Sequence, residues 1–400
     1  MSETTGSPSI RRREFIAGAV TAAAFTLVRP AALRAQGANG KLQLGLIGCG
    51  NRGLWIGGLF EENTNTKVVA LHDYFQDRVD MGRDRFEVDP RNCFTGLSGY
   101  KALLECDVDA VAIESPPFFH PAQAEAAVNA GKHVYVAKPI ALDVPGCRTI
   151  QESADKAKGR GLSFLVDFQS RNNSIYREAV QRVRNGEIGK IVCGEAHYHC
   201  GMNPQRAEPG NPESRLRNWL WDYELSGDII VEQNIHVIDI ATWFINEQPT
   251  RAYGTGGRGA REIGTCWDHY VVTYWFPNDV VLDFSSTQFL RGYSDLGNRM
   301  YGSEGTVETH YGGDVWLDNG TRWEGGSTGP IYSEGAVNNM KDFCAGIDSG
   351  QIVNTADDSV RSNLTSILGR TAARHGELVT WDEMMDDAEE VDGGLEGLKD

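Results

Sequence analysis

The chain has 400 residues, of which 55 are Asp or Glu and 38 are Lys or Arg, giving a formal charge of −17 at neutral pH. Phosphate recognition needs a basic surface, so this balance argues against nucleic acid as a partner and suits a surface kept soluble by its charge. A chain this long exceeds what one hydrophobic core ordinarily supports, which predicts two domains.

The sequence Arg11-Arg12-Arg13-Glu14-Phe15-Ile16 precedes an Ala-rich apolar run over residues 17–28. A basic patch before an apolar segment too short to span a bilayer has the layout of an export signal. Arg12-Arg13 with Phe15 and Ile16 resembles the twin-arginine signal, R-R-x-F-[L/I], with Arg11 where Ser or Thr is usual. Residues 1–36 are therefore set apart as a signal segment. The twin-arginine (Tat) export machinery, which carries folded proteins, is an expected partner, and a periplasmic or other extracytoplasmic location is the expected destination. Leu33 makes the cleavage region around Ala35 imperfect, so a retained membrane anchor stays open. Eight cysteines without a C-x-x-C pair predict free thiols in a protein that folds before export.

A strand over 41–47 leads into Gly48-Cys49-Gly50-Asn51-Arg52-Gly53 and then a helix through Phe60. This is G-x-G-x-x-G between a strand and a helix, the context in which the pattern signifies dinucleotide binding. Gly48 allows a tight turn, Gly50 lets backbone approach a pyrophosphate, and Gly53 permits close helix packing. The phosphates belong on the helix N-terminus. A second strand, 67–71, ends in His72-Asp73, twenty residues beyond Gly53. An acidic residue there accepts the ribose hydroxyls and repels a 2′-phosphate, predicting NAD over NADP; Arg78 lies near enough to oppose that preference. Strands over 108–113, 133–136 and 162–166 then alternate with helices over 121–130 and 144–158. Such alternation predicts a doubly wound parallel sheet of Rossmann type, with ligands at the carboxyl ends of its strands. Asn51, Arg52, Ser115, Pro116 and His120 join the glycines and Asp73 as candidate cofactor contacts. Lys138, between a buried strand and Pro139, is placed to reach both the nicotinamide and a substrate hydroxyl, although a surface lysine in a turn fits the same pattern.

From residue 189 onward strands dominate, over 190–198, 251–254, 267–276, 280–289, 305–309 and 315–318. Their alternation predicts an α+β domain built on a large, open, mostly antiparallel sheet with one covered face. Arg217 and Trp219 in the insertion RLRNWLWDYELSGD combine the planes and donors that sugar rings need, although tryptophans there fit a core equally; Gln169 and Arg171 leave the last nucleotide-domain strand as candidates to border the same cleft. Cys193, Glu195, His197 and His199 alternate along one strand and so share a face, a pattern open to zinc but equally to a substrate wall or a subunit contact. No metal is expected. The expected domains are 37–168 for the nucleotide, 169–385 for substrate and oligomerisation, and 386–400 as a solvated acidic tail.

GLIGCGNRG, HDYFQDR, ESPPFFHPAQAEAAVNAGKHVYVAKPIAL and SGDIIVEQNIHVIDIATWF resemble, in order and spacing, the glucose/fructose oxidoreductase and inositol dehydrogenase family, Gfo/Idh/MocA. NNMKDFCAGIDSG and HGELVTWDEM extend the likeness toward the C-terminus. The resemblance implies that Lys138, in a motif usually E-K-P and here Ala137-Lys138-Pro139, takes part in catalysis. It also places the D-x-x-x-H motif on Glu232 and His236, with Glu in place of Asp. On a continuous helix these two residues share one face. His236 alone reads as a core histidine; within the family it reads as the proton acceptor. The implied activity is NAD-dependent oxidation of a hydroxyl of a sugar, glycoside, sugar acid or cyclitol by a homo-oligomer, dimer or tetramer. A glycosidase that oxidises, eliminates, hydrates and re-reduces around a retained NAD, and a non-catalytic nucleotide-binding protein, remain alternatives.

Overall fold

The computed structural model describes residues 40–400, so the twin-arginine segment lies outside the described residues. The first domain alternates β1 (Leu42–Ile47), α1 (Asn51–Asn63), β2 (Thr66–His72), α2 (Gln76–Phe86), β3 (Cys93–Phe94), α3 (Gly99–Glu105), β4 (Ala110–Ile113), α4 (His120–Asn129), β5 (His133–Ala137), α5 (Val144–Arg160) and β6 (Phe164–Asp167). All six strands run parallel in the order β3-β2-β1-β4-β5-β6. The direction of winding reverses between β1 and β4, which opens the crevice where dinucleotides bind. Strand β4 is fully buried, because helices cover both faces of the sheet.

The second domain begins with α6 (Ser174–Arg184) and β7 (Ile191–Cys200). An excursion follows through α7 (Pro212–Arg217), α8 (Tyr223–Ser226), α9 (Ile229–Glu232) and α10 (Ile235–Ile245). The sheet is completed by β8 (Arg251–Gly257), β9 (His269–Trp275), β10 (Val281–Gln288), β11 (Asp295–Gly302), β12 (Thr306–His310), β13 (Asp314–Asp318) and β14 (Arg322–Ser327). The chain closes with α11 (Ile331–Ser349), α12 (Ala356–His375), β15 (Val379–Thr380) and α13 (Trp381–Asp387).

The nine strands take the order β14-β13-β12-β11-β7-β10-β9-β8-β15, with β7 and β10 parallel and the other neighbours antiparallel. Ala196, Tyr198, Met300, Val307, Phe284 and Val272 turn inward, where α6, α10 and α12 cover them. Tyr253 and Val271 remain about half exposed on the other face. The alternation therefore predicts the covered face, whereas β11 and β14 are strands that it does not reveal.

The segment 386–400 is not a solvated tail. Val391 is buried and its N–H donates to Asp143 Oδ2 at 2.8 Å. Leu395 and Leu398 pack into an apolar cluster with Phe75, Leu216 and Leu225. Its acidic residues alternate with apolar ones at helix-like spacing, and burial of the apolar ones decides its path. All eight cysteines are unpaired. Among the described residues no helix is long and apolar enough to cross a membrane.

Candidate active site

The glycine loop has the geometry its spacing predicts. Gly48 has φ of +94°, and a Cβ there would lie 2.6 Å from the backbone of Glu114 and Ser115. A Cβ on Gly53 would sit 1.8 Å from the Gly48 carbonyl oxygen, so α1 packs at contact distance on the turn. Beside Gly50 a Cβ would meet only Arg78, at 3.7 Å, which leaves that backbone open to the cleft. Gly50 also caps α1 without a side chain, so the first N–H groups of the helix face the cleft unclaimed by a capping oxygen. These residues line a cavity of about 260 Å³ together with Asn51, Asp73, Arg78, Ser115 and Pro116.

Asp73 ends β2 beside this loop. It accepts the Cys49 N–H at 2.8 Å and the Phe75 N–H at 2.9 Å, one on each carboxylate oxygen. Each oxygen keeps acceptor capacity for ribose hydroxyls. Arg78 approaches Asp73 at 3.8 Å and stacks over Phe75. The loop, the helix end and Asp73 together fit a dinucleotide.

Two candidate contacts are engaged by other residues of the protein. Arg52 reaches inward to Glu114 (2.9 Å), to Asp167 and to the Tyr332 hydroxyl (2.9 Å), with Trp55 and Tyr332 beside its guanidinium. Glycine-loop spacing identifies its position on the cavity wall but not these partners. His120 is buried, its Nδ1 2.8 Å from the Pro139 carbonyl and its Nε2 2.8 Å from the Ser115 carbonyl. Burial pushes its pKa down to about 4, so the ring is neutral and donates to one of the two. It braces the loops after β4 and β5 rather than touching the cofactor.

Lys138 follows β5, at a carboxyl end close to the reversal in winding. Its ammonium donates to the Glu232 carbonyl at 2.7 Å and to Glu232 Oε1 at 3.2 Å. Both side chains are nearly enclosed, 11% and 13% exposed. A lysine ammonium has three N–H groups, so one remains to bind another oxygen. His236 is 7% exposed, and its Nδ1 is buried without a hydrogen-bond partner. Burial, then the Lys138 and Arg52 cations, hold its pKa well below the ordinary imidazole value. Phe168 and Tyr311 stand beside the ring.

The continuous helix expected for Glu232 and His236 is broken. Helix α9 ends at Glu232 and α10 starts at Ile235, with the Asn234 N–H bonded to the Ile229 carbonyl across the junction. Glu232 consequently pairs with Lys138, and His236 is carried separately. Asp228, at a φ of +77°, caps α9 and is held by Tyr270 (2.7 Å) and Arg374.

Sequence reasoning missed a buried carboxylate pair. Ile113 pairs with Val136 and Ala137 with Asp167, so Glu114 and Asp167 stand on the strand tips on either side of Ala137. Glu114 is fully buried, and burial raises its pKa to about 7 against the opposing pull of Arg52. The glutamate missing from the E-K-P motif is thus flanked by carboxylates on both neighbouring strands. An acidic residue ending the apolar strand AVAI was the available signal.

The four substrate candidates separate into two groups, and only Gln169 is placed near His236. Gln169 is buried, donates to Asp167 at 3.0 Å and receives the Tyr311 hydroxyl at 3.4 Å. Arg171 is committed to Asp239 (2.8 Å) and Asp358 (2.6 Å) and is therefore a staple between α10 and α12, not a cleft residue. Arg217 and Trp219 line the nucleotide cavity beside Asp73. Arg217 pairs with Asp77 at 2.7 Å and lies 3.8 Å over the Phe75 ring. The insertion that carries them extends from the second domain across the adenosine end of the cleft.

The tail fastens this insertion. Arg215 donates to the carbonyls of Gly393 and Gly394 at 2.7 Å each. Farther along, the Lys399 carbonyl accepts the Leu97 N–H at 3.1 Å and the Lys399 N–H donates to Tyr74 at 3.1 Å. Phe118, Phe119 and Trp219 pack around Leu395 and Leu398. Two distant stretches thereby form one wall over Phe75 and Asp73.

A Rossmann crevice with an acidic ribose site and a strand-end lysine, facing a buried histidine from the second domain, defines a nicotinamide-nucleotide oxidoreductase. The family model described as "Oxidoreductase family, NAD-binding Rossmann fold" matches residues 42–164, and that of the "GFO/IDH/MocA C-terminal domain" matches residues 176–308. The chain belongs to the Gfo/Idh/MocA oxidoreductase family, and its nucleotide is NAD.

The uncharacterized oxidoreductase YrbE of Bacillus subtilis is 26% identical over 275 residues, spanning 66% of this chain and 72% of that protein. The scyllo-inositol 2-dehydrogenase (NAD(+)) of the same organism is 27% identical over 195 residues, 48% of this chain and 49% of its own length. The chain thus spans only about half of the second relative. Levoglucosan dehydrogenase, solved with NADH and levoglucosan, shares the fold with a TM-score of 0.69 at 18% identity, covering 85% of this chain and 99% of that one.

Proposed function

We propose that the protein oxidises a hydroxyl of a sugar, glycoside, sugar acid or cyclitol at this cleft. The observation that carries the reading is a buried His236 whose Nδ1 has no hydrogen-bond partner, beside a Lys138 ammonium that has an N–H to spare. His236 accepts the hydroxyl proton. Lys138 holds the same oxygen and stabilises the negative charge that develops on it, while Glu232 fixes the lysine. Bound NAD supplies the hydride acceptor, nicotinamide C4. Gln169, fully buried and hydrogen-bonded to Asp167 and Tyr311, supports this end of the cleft through those two residues. The inositol dehydrogenase relative supports a polyol substrate. Purified protein offered a panel of cyclitols, aldoses and glycosides is expected to form NADH with at least one of them; no turnover of any member would leave the non-catalytic reading standing.

The wall over the adenosine end favours a second reading. Nucleotide under the insertion and tail would exchange slowly, so reducing equivalents would be returned within the site. A redox-neutral sequence, as in an NAD-retaining glycosidase, meets that condition, as does reoxidation by a second substrate. Release of a leaving group without net NADH would select the former.

Retention also gives a role to Arg12-Arg13. An enzyme exported already folded would carry NAD out of the cytoplasm, where free cofactor is plentiful. Arg12→Lys with Arg13→Lys is expected to hold active protein in the cytoplasm. Exported protein should contain about one nucleotide per chain, and empty exported protein would defeat the idea. The half-exposed Tyr253 and Val271 on the open sheet face suit a homo-oligomer contact, which light scattering would measure.

A further inference from the structure

The open face of the second sheet carries a side-chain cluster unrelated to the cleft. His197 of β7, Asp295 of β11 and His310 of β12 converge so that one ligating atom from each lies within 4.8 Å of the other two. His197 Nε2 is 3.0 Å from Asp295 Oδ2, and His310 Nδ1 is 2.9 Å from Asp295 Oδ1. We propose that His197, Asp295 and His310 form a binding site for a divalent transition metal, with Zn²⁺ the best fit.

Four observations carry this assignment. Two imidazoles and one carboxylate are a donor set suited to zinc, with a fourth position left for water or another ligand. Donor atoms on a tetrahedral zinc stand roughly 3.4 Å apart; the two short contacts, each to a different Asp295 oxygen, are close to that spacing, and the ligating atoms of the trio, all within 4.8 Å of one another, would draw together around the ion. His310 Nε2 lies 2.7 Å from Glu308 Oε1. A carboxylate behind the outer nitrogen of a metal-bound histidine fixes its tautomer, and here that directs the Nδ1 lone pair toward Asp295. With Nε2 donating to Glu308, the Nδ1–Asp295 contact is satisfied either by a second ring proton or by a metal ion held by both groups. Finally, His197 Nε2 is buried without a satisfactory hydrogen bond, and Gly297 beneath it makes room, since a Cβ there would lie 3.1 Å from the ring.

The single-strand set considered from the sequence is not this site. Glu195 is engaged by Tyr301 and by Arg299 (3.3 Å), while His199 faces Thr287 at 3.1 Å and Ser285 at 3.4 Å. Only His197 of that set takes part, because the other ligands come from across the sheet. The bland alternative is an ion-pair network in which His310 carries two protons.

The test uses full-length protein with its nucleotide, treated with chelator, dialysed and titrated calorimetrically with Zn²⁺ alone. One equivalent is expected to bind at micromolar or lower Kd. His310→Gln and His197→Gln should each weaken binding at least tenfold, and Glu308→Gln by on the order of tenfold, the scale of an outer carboxylate. Co²⁺ should give a visible-region spectrum that both histidine variants lose. Failure of the wild-type protein to bind, or binding unchanged in both histidine variants, would overturn the proposal. Because the wild-type titration requires no substitution, a misfolded variant cannot rescue it.

Discussion

The two ends of the nucleotide cleft are built by different means. At the nicotinamide end, Lys138, Glu114 and Asp167 leave neighbouring strands of one sheet, and His236 comes from a helix packed on the second. At the adenosine end, Asp73 is regular, but the wall opposite it is an excursion between β7 and α9 fastened by the last ten residues. Regular elements position the reacting groups, where fractions of an ångström matter. Irregular chain serves where the requirement is coverage. The contrast separates turnover, set at one end, from residence of the nucleotide, set at the other.

The sharpest way to break that division is at the chemical end. Lys138→Ala and His236→Ala should each lose on the order of a hundredfold or more in turnover, the usual scale for a positioned acid or base. Glu232→Gln should lose less, because the amide keeps its shape and the Glu232 carbonyl continues to hold Lys138. Nucleotide affinity should change little in all three. Near-normal steady-state turnover in either alanine variant would remove that residue from the mechanism.

At the other end the expected phenotype is reversed. A chain ending at residue 388, or Leu395→Asp with Leu398→Asp, should release NAD on the order of tenfold faster while single-turnover chemistry holds. Burying these leucines contributes about 1–2 kcal/mol each, enough for such a change. Fluorescence of bound NADH during a chase with unlabelled nucleotide reports the rate directly. An unchanged release rate would show that the wall does not retain the cofactor.

The two ends also differ in how far the sequence discloses them. Gly48, Gly50, Gly53 and Asp73 are legible because a tight turn, a helix start and a ribose contact impose fixed spacing along one stretch of chain. Lys138 is legible by its place at a strand end. Arg171 is not, since its partners Asp239 and Asp358 are distant in sequence and nothing local tells a staple from a sugar ligand. Arg217 and Trp219 have the right chemistry for a ring, but the fold turns them toward the adenosine side. The tail was hidden by composition: Val391, Leu395 and Leu398 recur at i, i+4 and i+7 among acidic residues and glycines. Strand β11, whose core contacts come from Leu296 and Met300 among Gly, Asn, Arg and Asp, is fixed by pairing on both sides more than by its own alternation.

Nucleotide choice tests the adenosine end more gently. Asp73→Ser removes a charge that repels a 2′-phosphate and leaves Arg78 beside the vacated space, so NADP affinity should rise relative to NAD by severalfold. Competitive titration of the two nucleotides measures the ratio. NADP bound as tightly as NAD by the unaltered protein would instead show that Arg78 outweighs Asp73.

The smallest expected effect concerns Glu114, whose buried carboxyl has its pKa raised from 4.5 to about 7. A raised folded-state pKa means that the native protein binds this proton more tightly than the unfolded chain does. The resulting stability is fully present below pH 4.5 and is lost as pH rises through about 7. Glu114→Gln removes the titration while keeping a side chain of similar size beside Arg52. Its melting temperature should therefore fall less steeply than that of the wild type between pH 4.5 and 7, with other groups contributing equally to both. His236 has the opposite sign: its depressed pKa contributes stability above pH 6.5 that is lost on acidification, so Glu114→Gln should leave that acidic limb in place. Parallel melting curves across the upper window would show that the Glu114 proton does not govern the pH response of this corner of the site.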